Sequence, residues 1–211
     1  RNNLEQPAYF IPDPWTQTPC DGSFFSRCIT DAIVQAVNDN AQSKITVKTF
    51  FNLGLALLVL VSPARYISMF NYVIRALGKP WRKALFLDML LYEIHKTLFK
   101  RKNPNFSTLF LNAGAHIQHH YFFNSPFVNF PDLQNPTWYI EKNKDPFLEM
   151  LKVYDEMLVD LLNLEDVEVI VATGLSQKPY EKLKFYYRLT DHEDFLVSLG
   201  IKFRDVVPRM T

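Results

Sequence analysis

Phe106-Ser107-Thr108-Leu109-Phe110-Leu111 is the stretch whose reading decides the fold. A short apolar run bounded by the turn Asn103-Pro104-Asn105 has the pattern of a buried strand. A second such run, Val167-Glu168-Val169-Ile170-Val171-Ala172, ends at Thr173-Gly174. Between them an amphipathic helix is predicted over 147–164, with Leu148, Leu151, Tyr154, Leu158, Leu161 and Leu162 facing inward. Strand, helix, strand is a crossover unit, and crossover units build parallel sheets. Tyr186 to Leu189 is expected to add a short third strand. The fold class expected is therefore α/β, a doubly wound parallel sheet flanked by helices, with its remaining strands upstream of Arg1.

Upstream of this half the pattern is helical. Helices are expected over 26–37, with Ile29, Ile33, Val34 and Val37 at helical spacing, and over 47–60. Ser62-Pro63 is a start signal for a third, which runs to Leu77 and is ended by Gly78. Pro80 opens a fourth, whose apolar face is Ala84, Leu87, Leu91, Ile94 and Leu98. A last short helix spans 191–199, capped by Asp191 and stopped by Gly200. The expected organisation is an irregular, proline- and aromatic-rich segment over 1–25, a helical insertion or cap over 26–102, and the α/β part over 103–211.

Composition narrows the classes. Of 211 residues, 48% are hydrophobic and 15% aromatic, which excludes disorder and supplies a core. A formal net charge of +1 argues against nucleic acid as a partner, because no broad basic field is present. Cys20 and Cys28 are close enough in the chain for a disulfide but read more readily as free thiols of a reducing compartment, so a cytoplasmic location is expected. The apolar run from Phe50 to Val61 falls short of the roughly 20 residues of a spanning helix. It reads as a core helix, with attachment to a membrane surface as the minor alternative. Both chain ends read as cuts within a larger polypeptide.

The chemistry concentrates in Asn112-Ala113-Gly114-Ala115-His116-Ile117-Gln118-His119-His120-Tyr121. If His116 opens a helical turn, then His116, His119 and His120 stand at i, i+3 and i+4 on one face. Neutral imidazoles so placed suit zinc or a related divalent ion, whereas imidazolium suits an anion. The competing reading stacks His119 and His120 with Tyr121, Phe122 and Phe123 in an aromatic corner. Asp155 reads as a surface carboxylate or as a partner to a histidine. His192 lies in an acidic knot, Asp191-His192-Glu193-Asp194, which helix capping already explains. Thr173 to Lys178 carries hydroxyls, an amide and an ammonium without phosphate-loop spacing, and Ser176 lacks the Gly-x-Ser-x-Gly elbow.

The order strand, His116, a helix carrying Tyr154-Asp155, then Val-Ile-Val-Ala-Thr resembles the C-terminal half of the alkaline phosphatase-like superfamily, over residues 106–211. The nearest branch in appearance is type I phosphodiesterase/nucleotide pyrophosphatase and sulfatase-like enzymes. That resemblance implies a two-metal hydrolase of phosphate or sulfate esters, with the nucleophile upstream of Arg1. It departs at two places: Asn112 stands where the family has Asp, and Thr173-Gly174-Leu175-Ser176 stands where it has Ser-Asp-His-Gly. An altered set of His116, His119, Gln177 and His192, or loss of the metals, would follow.

Two functions are carried forward. One is a hydrolase or transferase of a small-molecule or glycan phosphate or sulfate ester, with His116 and His119 as catalytic residues. In it, His116, His119, His120, Asn112 and His192 are the candidate ligands of a divalent metal. The other is a non-catalytic binding or assembly domain that retains an α/β hydrolase shape.

Overall fold

Most helix boundaries fall where local chemistry sets them. In the computed structural model, which describes residues 7–13, 18–38, 46–128, 132–173, 176–185, 187 and 189–206, the helices are α1 Phe24–Asn38, α2 Val47–Leu60, α3 Tyr66–Ala76, α4 Pro80–Lys102, α5 Ala113–Tyr121, α6 Pro146–Leu162 and α7 His192–Ser198. Thr46 caps α2, its hydroxyl accepting from the Thr49 amide at 3.2 Å. Asp145 caps α6 through Leu148 N at 3.0 Å, and Asp191 caps α7 through Asp194 N at 2.9 Å. Gly78 (φ +70°) and Gly200 (φ +69°) follow α3 and α7 in the left-handed conformation that ends a helix without a Cβ penalty. Short 3-10 turns, Pro63–Arg65 and Phe122–Asn124, precede α3 and follow α5.

The expected α/β fold is corrected: no strand is formed among the described residues. Phe106 and Phe110 are 80% and 72% exposed, and Ile170 and Val171 are 79% and 67% exposed, so neither run is a buried strand. The physical reason is that an apolar run is only half of a strand. Its backbone needs a neighbouring chain at ladder distance, and none of the described segments supplies one. Without a sheet, the crossover unit and the α/β hydrolase shape both fall. The third run, 186–189, lies partly outside the described residues.

The chain divides into two compact units. One comprises Arg1–Leu60, Arg101–Pro104 and Phe185–Thr211. Here α1 packs on α2, burying Cys28, Ile29, Ala32 and Ile33 from one and Ala56 and Leu60 from the other. Asp21 organises the approach to α1. Its carboxylate accepts from Phe10 N at 2.6 Å, Ser23 N at 2.8 Å and Ser26 Oγ at 2.7 Å. Burial pushes the Asp21 pKa up, and these hydrogen bonds together bring it below the ordinary value. Neither cysteine is in a disulfide.

The other unit comprises Val61–Lys100 and Asn105–Lys184. Its core is Met69, Trp81, Leu85, Met89, Ile117, Met150, Val153 and Met157. The inward face of α6 is Met150, Val153 and Met157, whereas Leu151 and Leu162 are exposed, a rotation from the leucine face expected. Polar bonds accompany that rotation. Arg82 clasps Glu149 with two hydrogen bonds of 2.7 Å, and Trp81 Nε1 donates to the same carboxylate at 3.1 Å. Tyr92 donates to Asp160 at 2.6 Å, where Lys96 also pairs. Arg65 bridges buried Glu93 at 2.7 Å and Glu156 at 2.6 Å. Among the described residues, no single helix is long and apolar enough to cross a membrane.

Candidate functional site

The site begins at the N-terminus of α5, where a helix leaves amide groups without internal partners. Asp88 of α4, 4% exposed, meets them: its carboxylate accepts from Asn112 N at 3.3 Å and Ala113 N at 2.9 Å. Tyr154 of α6 donates to the same carboxylate at 2.7 Å and accepts from Gly114 N at 2.9 Å. A Cβ on Gly114 would stand 3.2 Å from the Tyr154 ring, so any larger residue there would have to push that ring back by a few tenths of an ångström. Burial raises the Asp88 pKa against the opposing pull of its hydrogen bonds, and burial followed by the Asp88 charge raises that of Tyr154. This knot holds α5 by its first turn and aims the rest of the helix.

Down that helix the expected spacing is realised. The His116 and His120 rings lie 4.6 Å apart between centroids, inclined by 47°. Burial, then the charges of His120 and His119, push His116 down to about 4. Burial and His119 also lower His120. His116 is therefore neutral at pH 7, and His120 is shifted in the same direction. His120 Nδ1 lies 2.8 Å from Tyr139 Oη, and Tyr139 is hydrogen-bonded in turn to Tyr121. Which of Tyr139 Oη and His120 Nδ1 donates is set by the imidazole tautomer. Tyr121 is itself held between Trp81, edge-on at 5.4 Å, and Tyr139, stacked at 5.6 Å. His119 is exposed, with its Nε2 3.3 Å from the Gln177 amide nitrogen.

Asn112 is the N-cap residue of α5, and its side chain makes no capping bond. His192 belongs to the other unit, as the first residue of α7. Asp155 is exposed. Among the described residues, no group of three or more His, Cys, Asp or Glu side chains comes together that could hold a metal ion, so the metal-ligand reading of His116, His119, His120, Asn112 and His192 rests on the sequence alone. On the shared helix face His116 and His120 lie ring against ring, and His120 Nδ1 is engaged by Tyr139.

Sequence reasoning missed Asp88, Tyr139 and Asn135. Asp88 sits inside the apolar stretch 84–91 of α4, where a buried carboxylate announces a partner. Asn135, buried in a loop, donates to His120 O at 3.1 Å and Asn124 Oδ1 at 2.7 Å, and no local signal marks it. With this geometry in hand, comparison with protein-family models, curated proteins and solved structures gave no match. The resemblance to the alkaline phosphatase-like superfamily therefore has neither support nor contradiction from relatives.

Proposed function

We propose that the histidine face of α5 receives the anionic group of a phosphate or sulfate ester, in a protein that hydrolyses or transfers that group. One observation carries this reading: His116 and His120, 4.6 Å apart and both shifted toward the neutral form, with His119 on the adjoining part of the same face. Neutral imidazoles crowded this way repel a second proton, and an arriving anion removes the repulsion. Binding the ester would thus draw a proton onto the pair and convert hydrogen-bond donors into charge-assisted ones. His120 is fixed through Nδ1 by Tyr139, which leaves its Nε2 to meet the anion, while His116 is the ring ready to take the proton.

The test is an NMR titration of the imidazole resonances with inorganic phosphate and with sulfate. Saturable shifts are expected, with the His116 pKa rising by about one pH unit or more in the complex. Unmoved histidine resonances at saturating anion would refute the reading.

A second reading, an assembly domain, has its own observation. Phe50, Phe51 and Leu58 on α2, and Phe106 and Phe110 ahead of α5, are large apolar side chains left in solvent. Sedimentation over a range of concentrations tests it, with a mass above that of the single chain expected.

A further inference from the structure

We infer that the groove bordered by 123–128 and the start of α6 is a binding site for a hydroxylated ring such as a monosaccharide. It would hold the body of the ester whose charged group meets the histidines, so this inference rests on the reading above. The groove is open, with a volume of about 560 Å³, within the range of small-molecule sites.

Its lining chemistry is selective. Exposed Gln134 and Asn143 bring two side-chain amides, each able to donate and to accept, as the hydroxyls of a sugar require, while the Asn124 amide is engaged by Asn135 and Glu141 O. Phe123 and Leu148 add apolar surface suited to the C–H face of such a ring. The one carboxylate in the lining, Asp145, is already committed: it accepts from Leu148 N at 3.0 Å and from Ser125 Oγ at 3.2 Å. Exposed Lys142 adds a cation, so the groove is not hostile to a ligand carrying negative charge.

The groove is also tied to the histidine helix. Buried Asn135 bonds both Asn124 in the groove and the carbonyl of His120. Phe123 follows His120 by three residues, a backbone span of at most about 11 Å.

The experiment titrates the full chain with three probes: inorganic phosphate, glucose and a glucose phosphate, monitored by calorimetry and histidine NMR. The double variant Gln134→Ala, Asn143→Ala alters two exposed side chains, and circular dichroism verifies that it folds. Glucose phosphate is expected to bind about tenfold more tightly than inorganic phosphate, and the double variant to abolish that advantage while leaving inorganic phosphate unchanged. Equal affinities in the wild type, or an advantage that survives the double variant, would overturn the groove while sparing the histidine reading. Variant-sensitive binding of glucose or its phosphate with silent histidine resonances would uphold the groove and overturn the histidine reading instead.

Discussion

At the scale of single residues, Asp88 matters most to the geometry of α5. It is buried and accepts three hydrogen bonds, two from backbone amides that have no helical partner. Asp88→Ala should cost about 3 kcal/mol in urea denaturation, since it strands those donors in the interior. Tyr154→Phe, which removes one donor and one acceptor, should cost about half as much. His116 makes a pH prediction with a definite sign. Its folded pKa is about 4 against an ordinary 6.5, so above 6.5 the ring is neutral folded or unfolded and contributes nothing to pH dependence. As pH falls from 6.5 to 4 the unfolded chain takes up a proton that the folded ring refuses, and stability is lost; below 4 the loss levels off. His116→Gln should remove on the order of 1 kcal/mol of that acid sensitivity, allowing for partial exposure, as read from melts across this window.

At the scale of elements, α6 is positioned more by its polar contacts than by its leucines. Glu149 is the strongest of these, taking two bonds from Arg82 and one from Trp81. Burial raises its pKa, and the bonds from Arg82 and Trp81 bring it below the ordinary carboxylate value. Glu149→Ala should cost about 2 kcal/mol and alter Trp81 fluorescence, because a fork-shaped, charge-assisted contact is lost along with the indole's acceptor. At the other end of the same turn, Asp145→Ala removes the cap of α6 and the acceptor of Ser125 Oγ. A cost of about 1 kcal/mol is expected, with faster amide exchange confined to the first turn of α6.

At the scale of the whole molecule, the described chain is a helical protein in which two apolar runs stay out of any sheet. Far-UV circular dichroism should show the double minimum of helix, and the infrared amide band should lack a strong sheet component. Hydrogen exchange should separate the parts further. Amides of α4, α5 and α6 are expected to be protected, while 106–111 and 167–172, with their exposed Phe110 and Val171, should exchange quickly. Strong protection across both runs would mean that they are paired after all.

The helices were legible in the sequence because their signals are local. Pro63, Pro80, Asp191 and Gly200 act on backbone groups within one turn of themselves, and the i, i+3, i+4 spacing of His116, His119 and His120 places them on one face once α5 forms. Tertiary structure alone decided the rest. Whether Phe106-Ser-Thr-Leu-Phe-Leu111 becomes a strand depends on a partner chain at ladder distance, which the run's own composition does not specify. Whether Asp88 is a surface charge or the anchor of α5 depends on what faces it, and so does the tethering of His120 by Tyr139 from a distant loop. Backbone hydrogen bonds within a helix close over four residues, whereas sheet pairing and buried polar contacts are closed by residues far away in the chain.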